Sequence, residues 1–538
     1  MLFLFSFGQD AFAQRQRRKN PVSSNNTVEE ASGLAKHENN KQEPHANSPV
    51  YKDYKEPDST SLFKRTNDSY ELYKSYDLIK EANQGNPRAQ HELAVRYLLG
   101  QGFPCDTLKS LYWTKKAADL GLPEARYNLG IFLNNGWGIE WNPFKAYEQF
   151  KIAAESKMPD AQYVLGLMYL DNLVVPRDYR KAFLNIRDAA KKGYKLAIDI
   201  LQEIVKNPVE FGLDSAEIRS VKLEERKPVS VSAVNPALGV NYMDFRPDSL
   251  SKTDDITLLK EVLREGSDEL KFALGKVVVR DTSLVADISI IKTIQEAAEN
   301  GSPEAQTLLG RCYEKGIGLK KDLLQAAVQY IRAVRLDSRR APKLLLVLLS
   351  RPEFYKQLNA MINAKRAGAY FIYAGLVALH YNSQVTEPEA LRMLEAASEV
   401  KYVPAIIEMG LCYYTGNMTR QDKNKAITIW KQAAELGSSE ARVRIAIANV
   451  QEHFIYQDST ESIKVLREAA EAGSLLAEMA LAYCYETGTG IQQDRLNALH
   501  LYKVCTQRGS QGAYRALKRL YDGIRPDKKE FVVFDNDK

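Results

Sequence analysis

The chain has 538 residues, 45% hydrophobic and 26% charged, with 74 Lys and Arg against 68 Asp and Glu. Those proportions suit a chain that folds around a buried core. The surplus of +6 is spread thinly along the chain, which weighs against nucleic-acid binding, and stretches such as Leu344 to Leu349 are too short to cross a membrane.

At the N-terminus, Leu2 to Phe7 is apolar and Ala11-Phe12-Ala13 has the small-x-small form of a signal-peptidase site. Residues 1–13 are therefore expected to be a signal peptide, placing the protein in a periplasm or outside the cell. The alternative is a cytoplasmic leader, since no basic residue precedes the run and Arg15, Arg17, Arg18 and Lys19 follow it. Residues 14–68 are polar, rich in Asn, Ser, Lys, Glu and Pro, and are expected to form a disordered arm.

A repeat then begins. Ala89, Ala125, Ala161 and Ala197 recur at every thirty-sixth position; so do Ala305 and Ala341, and then Ala369, Ala405, Ala441, Ala477 and Ala513. A fixed period of this size signals a solenoid. Four residues after most anchors comes an apolar residue and then a small one, as in Leu129-Gly130, Leu309-Gly310 and Met409-Gly410. This is the spacing of one helix face, with room for a partner helix to approach. The first helix stops at paired glycines such as Gly100 and Gly102, Gly136 and Gly138, Gly316 and Gly318, or Gly488 and Gly490. A second helix follows, with small pairs such as Ala117-Ala118 and Ala433-Ala434, and ends at Gly85, Gly121, Gly193, Gly301, Gly437, Gly473 or Gly509. Next come cap residues (Asn86, Ser302, Ser438, Ser474) and Pro87, Pro123, Pro159 or Pro303 in the first turn.

These signals predict an all-α solenoid of helix-turn-helix repeats in two array blocks, residues 69–205 and 255–522. Between them, residues 206–254 lose the period, carry Pro208, Pro228, Pro236 and Pro247, and are expected to be a linker. The second block opens with a weak unit anchored at Leu270 and is compressed between Arg351 and Ala369, where a bend is expected. In the tail, residues 523–538, the apolar run Phe531 to Phe534 is expected either to dock on the last helix or to fray.

The pattern A-x3-L-G-x2-Y-x2-G-x-G, followed by K-A, an aromatic and A-A-x2-G, resembles the Sel-one-like repeat family, relatives of the tetratricopeptide solenoids. Ala305 to Gly318 follows it closely, as does Ala405 to Gly437 apart from Met409 and Met418. The resemblance implies a right-handed superhelix used as an adaptor for protein complexes. Units at Leu270, Ala341, Ala369 and Ala441 depart from it by lacking the glycine turn.

The residues point to no catalytic set, metal site or cofactor. The six His are scattered singly, and no C-x2-C or H-E-x-x-H motif occurs. Cys312, Cys412 and Cys484 share one helix position and read as small core residues; a Cys484 to Cys505 bridge is a minority alternative. Some cysteine-rich members of the family have been linked to penicillin binding, which keeps a secreted binder or enzyme of cell-wall fragments as the alternative function. Ser61 to Lys64 and Ser249 to Lys252 match S-x-x-K by spacing alone, with no K-T-G after them. The main expectation is a non-enzymatic scaffold whose partner, a protein or peptide, lies along a concave groove. In related solenoids that groove is lined by the exposed face of the first helix, here Tyr127, Asn134, Tyr163, Arg311, Glu314, Tyr414, Tyr483 and Glu486.

Overall fold

Each full repeat becomes a pair of helices, A and B, usually of thirteen residues. The structure is a computed structural model that describes residues 75–206, 288–316, 319–381, 385–452 and 459–533, all within one compact unit. The expected signal peptide (1–13) and polar arm (14–68), the linker beyond residue 206, the unit at Leu270 and the loop residue Gly318 lie outside the described residues. Those residues form twenty-two α-helices and no strand.

The first block contains α1 (Ser75–Asn83), α2 (Pro87–Leu99), α3 (Thr107–Asp119), α4 (Pro123–Asn135), α5 (Pro143–Glu155), α6 (Pro159–Asp171), α7 (Tyr179–Lys191) and α8 (Lys195–Lys206). The second begins with α9 (Ile288–Glu299), α10 (Pro303–Lys315), α11 (Leu323–Arg335), α12 (Ala341–Leu349), α13 (Pro352–Asn363), α14 (Ala367–Ala378) and α15 (Glu387–Glu399). It continues with α16 (Val403–Thr415), α17 (Lys423–Glu435), α18 (Ser439–Glu452), α19 (Ser459–Glu471), α20 (Leu475–Thr487), α21 (Arg495–Gln507) and α22 (Gln511–Asp522). A 3-10 turn, Lys529–Phe531, follows.

Within a unit the small residue of helix A lies directly under a large residue of helix B. A Cβ added at Gly130 would come within 2.6 Å of Phe150, one at Gly166 within 2.6 Å of Ile186, and one at Gly310 within 2.5 Å of Tyr330. The fully buried anchor alanines complete this seam, and large side chains such as Phe150, Ile186, Tyr330 and Trp430 fill it. Interiors are close-packed, so a small residue on one helix and a large one on the other fix the register between them.

Both ends of helix A and the start of helix B are capped. Asn86, Ser302, Ser474 and Ser510 accept backbone N–H bonds in the first turn of α2, α10, α20 and α22, as their residue types predict. Where helix A ends, Gly100, Gly136, Gly316, Gly416 and Gly488 are left-handed. Asn172 takes the same conformation in the unit that lacks the glycine, and Met418 takes it at the second loop position. The chain then turns through a residue seventeen places after the anchor: Asp106, Asn142, Asp178, Asp322, Asp422 or Asp494. In each unit its N–H donates to the carbonyl of the last-turn residue of helix A, as from Asp422 to Tyr413 at 2.8 Å and from Asp494 to Tyr485 at 2.9 Å. Its side chain accepts from the first turn of helix B.

The compressed stretch follows from deletion of that loop. Helix α12 has only nine residues and passes to α13 through Ser350 and Arg351 alone. Its sequence is apolar apart from Lys343, and Leu346 and Val347 are left about half exposed.

Candidate partner-binding surface

Three of the eight expected groove residues are enclosed by the protein itself, and their place in an open groove is corrected. Tyr127 is 1% exposed and packs on Phe150 with ring centroids 5.6 Å apart; Asn134 and Glu314 are 2% and 3% exposed. Tyr163, Arg311, Tyr414, Tyr483 and Glu486 are partly exposed. Tyr163 packs on Tyr194 at 5.2 Å, and Tyr414 packs on Trp430 at 5.3 Å while its hydroxyl donates to Gln451 at 3.2 Å. Arg311 and Glu314 are joined by a 2.9 Å ion pair, Tyr483 and Glu486 stand one turn apart on α20, and Tyr127 and Asn134 share α4; Tyr163 and Tyr414 lie in separate units.

Asn134 and Glu314 stand nine residues after their anchors. The position nine residues after the anchor faces the helix-B position sixteen residues further on, and the two side chains match chemically. Glu314 accepts from the Tyr330 hydroxyl at 2.6 Å and Glu486 from the Tyr502 hydroxyl at 2.8 Å. At the same two positions stand Tyr414 and Trp430, which pack as rings, and Leu170 and Ile186, which are apolar. An arginine from further along the chain completes both acidic pairs: Arg351 on Glu314, and Arg519 on Glu486 at 2.6 Å. The paired spacing of sixteen is visible in the sequence, but reading the period one helix at a time misses it.

Arginine pairs also join units distant in the chain. Arg508, whose side chain is fully enclosed, bonds both carboxylate oxygens of Glu304 at 3.0 and 2.8 Å, pairs with Glu478 at 3.0 Å and donates to the Gly473 carbonyl. Arg335 holds Glu408 with Nε to Oε2 at 3.0 Å, and Arg332 reaches Glu440 at 3.4 Å, where Arg444 of the same helix as Glu440 also holds that carboxylate at 2.8 Å. Burial alone would push the Glu304 and Glu440 carboxyls up; the charges of Arg508 and of Arg444 and Arg332 outweigh it and hold both below their ordinary value.

The cysteines behave as packing residues. No disulfide links the five; Cys312, Cys412, Cys484 and Cys505 are buried, and Cys105 is exposed. The Cys505 thiol donates to Glu478 at 3.7 Å, so the suggested Cys484 bridge does not form. Burial pushes the Cys412 thiol up, and that of Cys484 up to about 12, which disfavours the nucleophilic thiolate.

The tail also departs from expectation. Phe531 is fully buried, and against the first block: its ring meets Phe144 at 5.1 Å and Tyr147 at 5.8 Å, edge to face. Arg525 lies over the Phe144 ring and donates to the carbonyls of Leu173 and Val174, while Trp141 packs on Tyr521 at 5.0 Å. The apolar run in the tail marks this contact in the sequence, but its receiving surface lies more than 350 residues away.

The family model of the Sel1 repeat matches residues 87–122, 123–157, 159–194, 303–336, 403–438 and 475–503. The chain belongs to the Sel1-repeat family. It is 33% identical to a Sel1 repeat protein from Oxalobacter formigenes of known structure, over 24% of this chain and 96% of that one, with a TM-score of 0.23. A protective antigen of uropathogenic Escherichia coli strains that displays an SLR fold is 18% identical over 83% of this chain and 90% of its own, with a TM-score of 0.29. Yeast Tom70 is 13% identical over 84% and 97%, with a TM-score of 0.24. No curated protein matches the chain. Each matched unit has a helix A and a helix B; the short unit at α12 and the units that begin at α14 and α18 fall outside the match. No described helix is long and apolar enough to cross a membrane.

Proposed function

We propose that the chain is a non-enzymatic scaffold that binds a protein or an extended peptide along the helix-A faces of its Sel1 units. Repeats of the Sel1 and tetratricopeptide kind commonly serve protein interaction, and the observation that carries this reading is the partial exposure of Tyr163, Tyr414 and Tyr483. They stand two, nine and six residues after their anchors, positions that share one helix face. Together with the partly exposed Arg311 and Glu486 they offer broad, stiff contact surface at low entropic cost. Tyr127, Asn134 and Glu314 are left to internal packing. Export to the periplasm or the medium is proposed on the strength of Leu2 to Phe7 and Ala11-Phe12-Ala13.

The test is affinity purification from the native source, comparing the natural protein with a Tyr163→Ala, Tyr414→Ala, Tyr483→Ala triple variant, with cell fractionation alongside. A protein partner that is recovered with the natural chain and lost with the variant, in the exported fraction, is the expected result. Undiminished capture by the variant would sink the helix-A assignment, and retention of a glycan or β-lactam in place of a protein would replace the function.

A further inference from the structure

We propose that the stripe of α5 carrying Phe144, Tyr147 and Lys151 is a recognition site for a short acidic-aromatic peptide of a partner protein, filled within the chain by its own Glu530 and Phe531. The stripe lies on a helix B, apart from the helix-A faces discussed above, so either proposal can fail without the other.

The seat is built by the first block. Phe144, Tyr147 and Lys151 follow one another at the three- and four-residue steps of one helix face, with Glu148 four residues after Phe144 at its edge. Tyr147 is positioned by the next unit, its hydroxyl 3.1 Å from that of Tyr169. The occupant makes contacts of the kind a bound peptide makes. One aromatic ring, Phe531, is fully enclosed, and the carboxylate just before it accepts from the Tyr147 hydroxyl at 3.0 Å and from Lys151 Nζ at 2.9 Å. At the rim, Lys528 donates to Glu148 at 2.8 Å. A central buried anchor ringed by exposed charge pairs is how interfaces concentrate affinity in few residues while the rim sets register.

The rest of the segment is not part of a core. Lys528, Lys529, Glu530 and Val532 are exposed, and the only regular structure is a single 3-10 turn. The stretch leaves α22 through Gly523 and Pro526, a connection without helix. The seat therefore reads a basic residue, one spacer, an acid and an aromatic, in that order. A tethered occupant acts at an effective concentration on the order of millimolar, so the tail masks the seat and an incoming peptide must displace it.

The experiment uses the full-length chain with Glu530→Lys and Phe531→Asp, which empties the seat and leaves its walls intact. A fluorescent peptide of residues 525–533 is titrated and followed by anisotropy. The variant should bind it at least about tenfold more tightly than the natural chain, in which the tail competes. Binding should weaken on adding Lys151→Glu to the variant and recover when the peptide carries lysine in place of its glutamate. Equal, weak binding by both folded proteins would overturn the proposal, as would self-association of the variant in place of peptide binding. Should the variant fail to fold, a protease site placed at Gly523 and cut after folding supplies the second measurement. The severed tail should exchange with the free peptide; a seat that takes up no peptide after the tail has left would equally overturn it.

Discussion

Asp422 serves two helices at once, its N–H closing α16 on the Tyr413 carbonyl and its side chain accepting from Lys425 N–H at 2.9 Å to open α17. Replacing it by alanine keeps the first bond and removes the second, so Asp422→Ala should cost about 1 kcal/mol, the usual size of an N-cap, measurable as a lower urea midpoint. At the equivalent Asp106, the backbone N–H of Lys109 holds the carboxyl below its ordinary value. That cap's contribution is present at neutral pH and is lost as pH falls through the lowered value. The left-handed residues behave in the opposite sense. Lys157 and Lys401, with φ of 61° and 59°, occupy the turn after helix B where other units place glycine. Lys401→Gly should raise stability by roughly 0.5 to 1 kcal/mol, the relief of left-handed strain less the added freedom of the unfolded chain. A lower midpoint for that variant would show that the lysine side chain contributes more than its backbone costs.

Arg508 shows how elements far apart in the chain are held together. Removing one partner of an enclosed ion pair leaves the other charge stranded. Arg508→Ala should therefore destabilise the protein by about 3 kcal/mol or more, while Arg508→Met with Glu304→Gln and Glu478→Gln, which removes the charges together, should cost much less. Equal losses in both, measured by thermal melting, would mean that packing and not charge dominates there. This level of organisation was only partly legible in the sequence. The period, the glycine stops and the serine caps are local signals repeated many times, and the structure places them as read. The pairing of Glu304 with Arg508 depends instead on how tightly successive units wind, and no single repeat carries that information. The same holds for the groove: periodicity places Tyr127 and Glu314 on the helix-A face, but whether that face is open depends on the residue opposite, Phe150 or Tyr330.

Across the whole molecule, the junction between the blocks concentrates buried charge. Asp171, 2% exposed at the end of α6, accepts from Leu173 N–H at 3.0 Å and faces Arg177, Lys503 and Arg525. Burial pushes its carboxyl up to about 7 and pushes Lys503 down to about 8, each opposed by the other's charge. An acid raised on folding binds more protons in the folded state, so its contribution falls as pH rises from its unfolded value toward 7. The melting temperature of the natural chain minus that of Asp171→Asn should thus be lower at pH 8 than at pH 5, by about 2 °C or more. A difference that stays constant with pH would mean that Asp171 titrates normally.

An open row of repeats normally unravels from its ends, because a terminal unit has a neighbour on one side only. Here the final helices and the tail rest on Trp141, Phe144 and the carbonyls of Leu173 and Val174, so the last unit has neighbours on both sides. Among the described residues, a weakly held stretch then lies inside the second block, at the nine-residue α12 with its bare Leu346 and Val347. Amide exchange and limited proteolysis should open that internal stretch before α21 and α22, so that the chain parts in the middle while its C-terminal helices still hold.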